Sequence, residues 1–321
     1  MLPAVICKLI AEYVIDYEKI LVNGIDTNNI NWRGLSRNPN AIDLLMSNQD
    51  KISWYNLSSN CADGAIALLT ANPDKIYWDA LSSNIADGVI ELLLKANHDD
   101  LNWRGLSRNP SAIPLLKMHQ DRIEWDMLAI NPNGVELATA NLDKMEFGMI
   151  DMLSLNPNAI KVLTDHQDEI DWCSLSENKN AMKLLMENQD KIDWVQLSHN
   201  HNDRAISLLK ENQDKIDWDG LSSNCADGAI DLLKANQDKI NWYNLSRNPN
   251  ANAIILLTAN QDKLNWYSIS RNPNAIPLLI ANQDKIDWYI LATNPNIFTN
   301  DIKKYNSDIK IIQSLLYHIT F

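Results

Sequence analysis

Two tyrosine–arginine pairs stand four residues apart near the end of the chain, Tyr243 with Arg247 and Tyr267 with Arg271, and Tyr289 follows one step further. Residues four apart on a helix lie side by side, and Tyr and Arg are enriched where proteins bind one another. These five residues are the candidate partner-binding set. The competing reading is that each tyrosine packs between neighbouring helices while each arginine covers a carboxylate. Other chemistry is thin. The six histidines lack metal-ligand spacing, and neither HExxH, CxxC nor a glycine-rich phosphate loop occurs. Aspartates are plentiful but periodic, whereas a residue that performs chemistry is normally singular. We expect no catalytic residue, no cofactor and no metal site, and hence no enzyme.

The elements that position these residues come from a repeat. All eleven tryptophans, from Trp32 to Trp288, occupy one slot at steps of 22, 24 or 25 residues, with a single gap of 47 that Phe147 fills. Twelve copies at such a period mean a stacked array in which each unit buries its face against the next. The expected fold is all-α, a solenoid of about twelve short two-helix repeats with capping helices. The boundaries fall at 1–29 for N-terminal capping helices, 30–297 for the array and 298–321 for a C-terminal capping helix.

Within one copy, the first helix (helix A) is expected to start at an Asp50-type N-cap and run through Ile52, Trp54 and Leu57. The Asn-Pro dipeptide would end it. The second (helix B) is expected to begin at Asn40, with Ala41, Leu44, Leu45 and Asn48 on one face. Pro114 and Pro277 then fall in the first turn of helix B, where a missing N–H costs no intrahelical bond. Longer copies place two extra residues at the A–B turn, as in Asn60 to Gly64, and the copy from Phe147 should distort the stack. The recurring Asn38, Asn48 and Asp50 read as caps or left-handed residues, and the tryptophans as a core ladder.

Composition narrows the partner. A formal net charge of −13 argues against a surface that tracks phosphates or anionic lipid, so nucleic acid is unlikely as a ligand. No apolar run is long enough to span a membrane. The four cysteines, Cys7, Cys61, Cys173 and Cys225, are scattered, which suits reduced thiols and a cytoplasmic location. The expected ligand is a protein partner, and apolar solenoid ends suggest a homodimer formed end to end.

Two resemblances add to this. The pattern W-x-x-L-S-x-N-P-N-A-I followed by N-x-D-K-I-x-W, clearest at Trp32–Asn40, Trp242–Asn250 and Trp266–Asn274, resembles a repeat of uncharacterised proteins of giant DNA viruses of the mimivirus kind. It implies a viral protein at work in the host cytoplasm of an infected protist, and no activity. The opening, Leu2-Pro3 through Tyr13 to Leu21, faintly resembles an F-box, which implies a Skp1-like subunit as partner and a substrate adaptor of a ubiquitin ligase as the alternative function. The competing reading of the same helices is a cap on the first repeat.

Overall fold

The computed structural model describes residues 19–26, 28–144 and 149–301. Among them, twelve helices A and eleven helices B alternate along the chain, from Trp32–Leu35 and Ile42–Met46 in repeat 1 to Ile276–Ile280 and Trp288–Ala292 at the far end. Each helix A begins at its tryptophan, except in repeat 6, where it runs Met149–Leu153 and Phe147 lies outside the described residues. The fold is the expected all-α repeat array, with one feature the periodicity did not announce. It closes on itself.

Closure follows from the contacts of the two ends. Helix A of repeat 1 packs against helix A of repeat 12 as most helices A pack against their neighbours. A Cβ built on Gly34 would lie 2.7 Å from both the Ala292 Cβ and the Tyr289 carbonyl oxygen. Strand β1 (Lys19–Leu21) pairs antiparallel with β2 (Phe298–Asn300), Ile20 opposite Thr299. This two-stranded ribbon stands where repeat 12 would have had its helix B, and it buries Phe298. Gly24, at a positive φ of 96°, then turns the chain against Ile280 of repeat 11.

Several expectations are corrected by this. Residues 19–21 form a strand and not the end of a helix pair, and 298–300 form a strand and not the start of a helical cap. Residues 22–26 and 28–29 are turn and irregular chain and not helix, while residues 1–18, 27 and 302–321 of the two expected caps, and with them all of the F-box-like stretch before Lys19, lie outside the described residues. Repeats 1 and 12 cover each other's end faces, the faces expected to carry an end-to-end dimer.

Successive helices A approach more closely than successive helices B. Open grooves separate the B helices, one of them lined by Ile66, Thr70, Gly88, Glu91 and Lys95. In a closed ring the tighter layer lies on the shorter perimeter, so helices A face the opening. With ~9 Å between packed helices, twelve steps make a perimeter of roughly 110 Å and leave an opening on the order of 20 Å across.

The core is a ring of leucines, not of tryptophans. The third residue after each tryptophan, from Leu35 to Leu291 with Ile269 in repeat 11, is fully buried, and in repeat 6 Leu153, six residues after Phe147, takes that place. The tryptophans are half-buried at the edge of that core. Eight lysine ammonium groups, from Lys51 over Trp32 to Lys285 over Trp266, roof their rings at 4.2–5.4 Å. Each lysine closes the 3-10 turn that precedes the next repeat, Gln-Asp-Lys in six of the eight, Pro-Asp-Lys at Lys75 and Leu-Asp-Lys at Lys144, and its charge sits on the ring beneath it.

Helix A is shorter than expected. Gln49–Lys51 is a separate 3-10 turn, Ile52 is extended, and the helix starts at Trp54. The residue directly before the tryptophan is the true N-cap: Asp193 accepts the Gln196 N–H, Asp217 the Gly220 N–H and Asn241 the Asn244 N–H. The prolines behave as expected, with Pro114 and Pro277 in the first turn of Ile113–Met118 and Ile276–Ile280. The two extra residues of the longer copies join helix B, which grows to nine residues in Asp63–Ala71, Asp203–Glu211 and Asp227–Ala235.

Candidate interaction surface

Which polar residues hold the ring decides which are free to bind. The asparagine before each proline slot is buried in all twelve repeats, from Asn38 to Asn294. Its side-chain oxygen accepts a backbone N–H two residues on, as Asn38 does from Asn40 at 3.0 Å, which makes Asn38 rather than Asn40 the cap of this turn. Its amide donates twice to the preceding repeat: Asn60 to the Ser36 and Asn38 carbonyl oxygens, Asn84 to those of Ser58 and Asn60, and so on to Asn294. Asn38 completes the circle by donating to Ala292 and Asn294 at 2.9 and 2.8 Å. The ladder also passes through the irregular repeat 6, where Asn156 donates to Ala129 and Asn131 at 2.7 Å each, while residues 145–148, where the distortion is expected, lie outside the described residues.

A serine ladder runs beside it. Ser198 donates its hydroxyl to the Trp194 carbonyl and accepts the Asp217 N–H of the next repeat at 3.0 Å. Ten repeats carry this serine; Ala129 and Ala292 replace it in repeats 5 and 12. The Asn48-type residues close helix B by donating to the carbonyl four residues back. They do so at negative φ, and no described residue other than glycine has a left-handed backbone. The recurring polar residues are thus structural, as expected, although their main work is between repeats and not at helix ends alone.

What remains for solvent on helix A is the slot after the tryptophan and the slot four further on. Tyr243, Tyr267 and Tyr289 are 49, 54 and 42% exposed, and Arg247 and Arg271 are exposed too. The five candidate residues sit on three adjacent helices A, those of repeats 10, 11 and 12. Closure then extends the set beyond what linear order suggests. Arg33 and Arg37 of repeat 1 continue it across the seam, and Tyr55 of repeat 2 follows, with Tyr77 edge-on to it at 5.6 Å between ring centres.

The stripe is electrostatically distinct. Six of the chain's eight arginines occupy these two slots: Arg33, Arg37, Arg104, Arg108, Arg247 and Arg271. From repeat 10 through repeat 2 the slots hold no carboxylate at all. Asp219 in repeat 9 and Asp79 in repeat 3 bracket this arc, each accepting a hydrogen bond from the asparagine that caps the next helix A. Elsewhere Arg104 is paired with Asp126 at 3.4 Å across repeats 4 and 5. Cys173, in the same slot of repeat 7, has its pKa raised by partial desolvation and by the nearby Asp193 and Asp171.

The remaining candidates for chemistry stay dispersed. His98 and His119 pack edge-on to each other at 4.3 Å beside Trp103, whose ring is covered by Arg122 where other repeats carry lysine. Cys225 lies 3.2 Å from His201 Nδ1 on an exposed turn. Among the described residues no group of three potential ligands could hold a metal ion, and no helix is long and apolar enough to cross a membrane. The chain matches no protein-family model, no curated protein and no solved structure.

Proposed function

We propose that this protein is a non-enzymatic, ring-shaped scaffold for protein–protein interaction, whose partner docks on the faces of helices A. One observation carries this reading. The residues that recur in every repeat are consumed by the two ladders and the leucine ring, whereas the solvent-facing slots of helix A change from copy to copy. A surface whose framework is fixed and whose facing residues vary suits recognition of a particular shape. The stripe is also rich in the aromatic and arginine side chains that anchor interfaces. The repeat's resemblance to giant-virus proteins supports a viral protein acting in the cytoplasm of its host.

Site-specific photocrosslinking tests the placement. A photoreactive residue is put at Asp79, Val195 or Tyr267 on the inner face, and at Ala67 or Ser207 on the outer face. Each protein is exposed to an extract of infected protist cells. The proposal expects one protein crosslinked from inner positions and not from outer ones. Capture only from the outer face, or from neither, overturns it.

A further inference from the structure

The arc from repeat 10 to repeat 2 has a chemistry specific enough to name its occupant. Resting on the scaffold reading above, the geometry points to an acidic, extended peptide segment bound along the arc of Tyr243, Arg247, Tyr267, Arg271, Arg33 and Arg37.

Charge is the first argument. The chain carries −13 overall, yet four arginines are gathered here with no carboxylate in the same slots. None of the four takes part in an ion pair or side-chain hydrogen bond among the described residues, whereas Arg104 and Arg122 elsewhere are paired. Among the arc's helices A and their N-caps the one acid is Asp287, whose carboxylate accepts the Ile290 N–H. An exposed guanidinium keeps a forked set of donors that fits a carboxylate in bidentate fashion.

Spacing is the second. Neighbouring helices A are ~9 Å apart and an extended peptide advances ~3.3 Å per residue, so one repeat matches about three residues. The ligand is therefore a strand-like segment with acidic residues about three apart. Tyr243, Tyr267 and Tyr289 lie between the charges and offer flat apolar surface to the intervening side chains. Asp219 and Asp79 close off both ends, which limits the segment to about a dozen residues. A long polyanion such as single-stranded nucleic acid would run past these two carboxylates and meet the acidic remainder of the ring. A short peptide would not.

The seam is essential to the site. Arg33 and Arg37 are more than 200 residues from Arg271 in sequence and join the arc only because repeat 1 packs on repeat 12.

Fluorescence anisotropy tests the assignment, using a labelled twelve-residue peptide with glutamate at every third position and glycine or serine between. Parallel probes carry lysine in place of glutamate, or are a labelled oligo-dT. The full-length protein is compared with Arg247→Gln/Arg271→Gln, with Arg33→Gln/Arg37→Gln, and with Arg108→Gln as an exposed control outside the arc. Circular dichroism and melting establish that each variant is folded. The expected result is binding of the glutamate peptide alone, weakened at least tenfold in both double variants, unchanged in Arg108→Gln and reduced by added salt. Absence of binding, equal loss in Arg108→Gln, or tighter binding of oligo-dT through the same arginines overturns it. Should the peptide fail while Val195 and Tyr267 still crosslink a protein from extract, only the acidic-peptide assignment falls and the scaffold reading stands.

Discussion

The side-chain amide of Asn38 donates to the carbonyl oxygen of Asn294 at 2.8 Å, across 256 positions of sequence. Asn60 makes the same bond to Asn38 at 3.0 Å, across 22. The seam therefore uses the same asparagine contact as every internal junction. Closure is cyclic repetition of one contact, not an accident of two ends lying near each other. It removes the two exposed end faces that an open solenoid must cover with polar caps.

The ladder should dominate stability. In Asn200→Ala, the Ser176 and Asn178 carbonyl oxygens each lose a buried donor, at about 2–4 kcal/mol in total. Asn200→Asp keeps the acceptor for the Asn202 N–H but points a carboxylate at two carbonyls. It should cost at least as much as alanine. Urea unfolding midpoints measure both; an aspartate variant as stable as the parent would contradict the ladder's role.

Two glycines in one slot should respond differently to alanine. At Gly105 a Cβ would meet the Ser83 hydroxyl at 2.7 Å, a group that can rotate aside, and alanine gains about 1 kcal/mol in helix propensity. At Gly34 the obstacles are the Tyr289 carbonyl oxygen and the Ala292 Cβ, both fixed by helix A of repeat 12. Gly34→Ala should lose about 1–3 kcal/mol, as overpacking does, and Gly105→Ala should be close to neutral. Thermal melts compare the two, and equal effects would argue against tight packing at the seam.

For the tryptophan slot, Trp194→Ala should cost about 2–4 kcal/mol, since a large side chain packed on the core is lost. Lys215, whose ammonium sits 4.2 Å from the Trp194 ring centre, is exposed, and Lys215→Ala should cost no more than about 1 kcal/mol. A lysine effect as large as the tryptophan effect would mean that the roof, and not the ring beneath, holds the repeats together.

Cys173 gives a pH-dependent readout of the inner face. Desolvation first, then Asp193 and Asp171, raise its pKa above the ordinary thiol value of 9.0, so its thiolate forms only at higher pH. In Asp193→Asn the helix cap survives, as the asparagine caps of other repeats show, and one negative neighbour is gone. The pH–rate profile for maleimide labelling of Cys173 should then shift to lower pH. No shift would place the cause in burial alone.

Much of the repeat was legible in the sequence. Twelve copies, the helix B start fixed by Pro114 and Pro277, and the stripe of Tyr243, Arg247, Tyr267, Arg271 and Tyr289 all follow from spacing and side-chain type. Helix A is shorter than its sequence suggests because Asp190 and Asp193 are both good caps, and the choice between them depends on the serine of the previous repeat that binds the N–H before the tryptophan. That contact joins residues 17, 19 or 20 apart and leaves no local trace. Closure was hidden for a similar reason, since Asn38 looks identical whether its amide meets Asn294 or water. One sign was present. Leu35, Ala41, Leu45 and Leu291 make the first and last copies as apolar as internal ones, whereas the terminal repeats of an open array are atypical.

Ring closure is the central claim, and a pair of distances tests it most directly. With the native cysteines replaced by serine, spin labels are placed at Arg33→Cys/Tyr289→Cys and, separately, at Arg33→Cys/Val195→Cys. In a ring, repeats 1 and 12 are neighbours and repeat 8 lies almost opposite, so the first distance is about one helix step plus the label arms and is the shorter of the two. In an open solenoid the order reverses, with repeat 12 farthest from repeat 1, on the order of 100 Å along the stack. Pulsed dipolar spectroscopy showing Arg33 nearer to Tyr289 than to Val195 is the result the closed ring requires. The reverse order would contradict it.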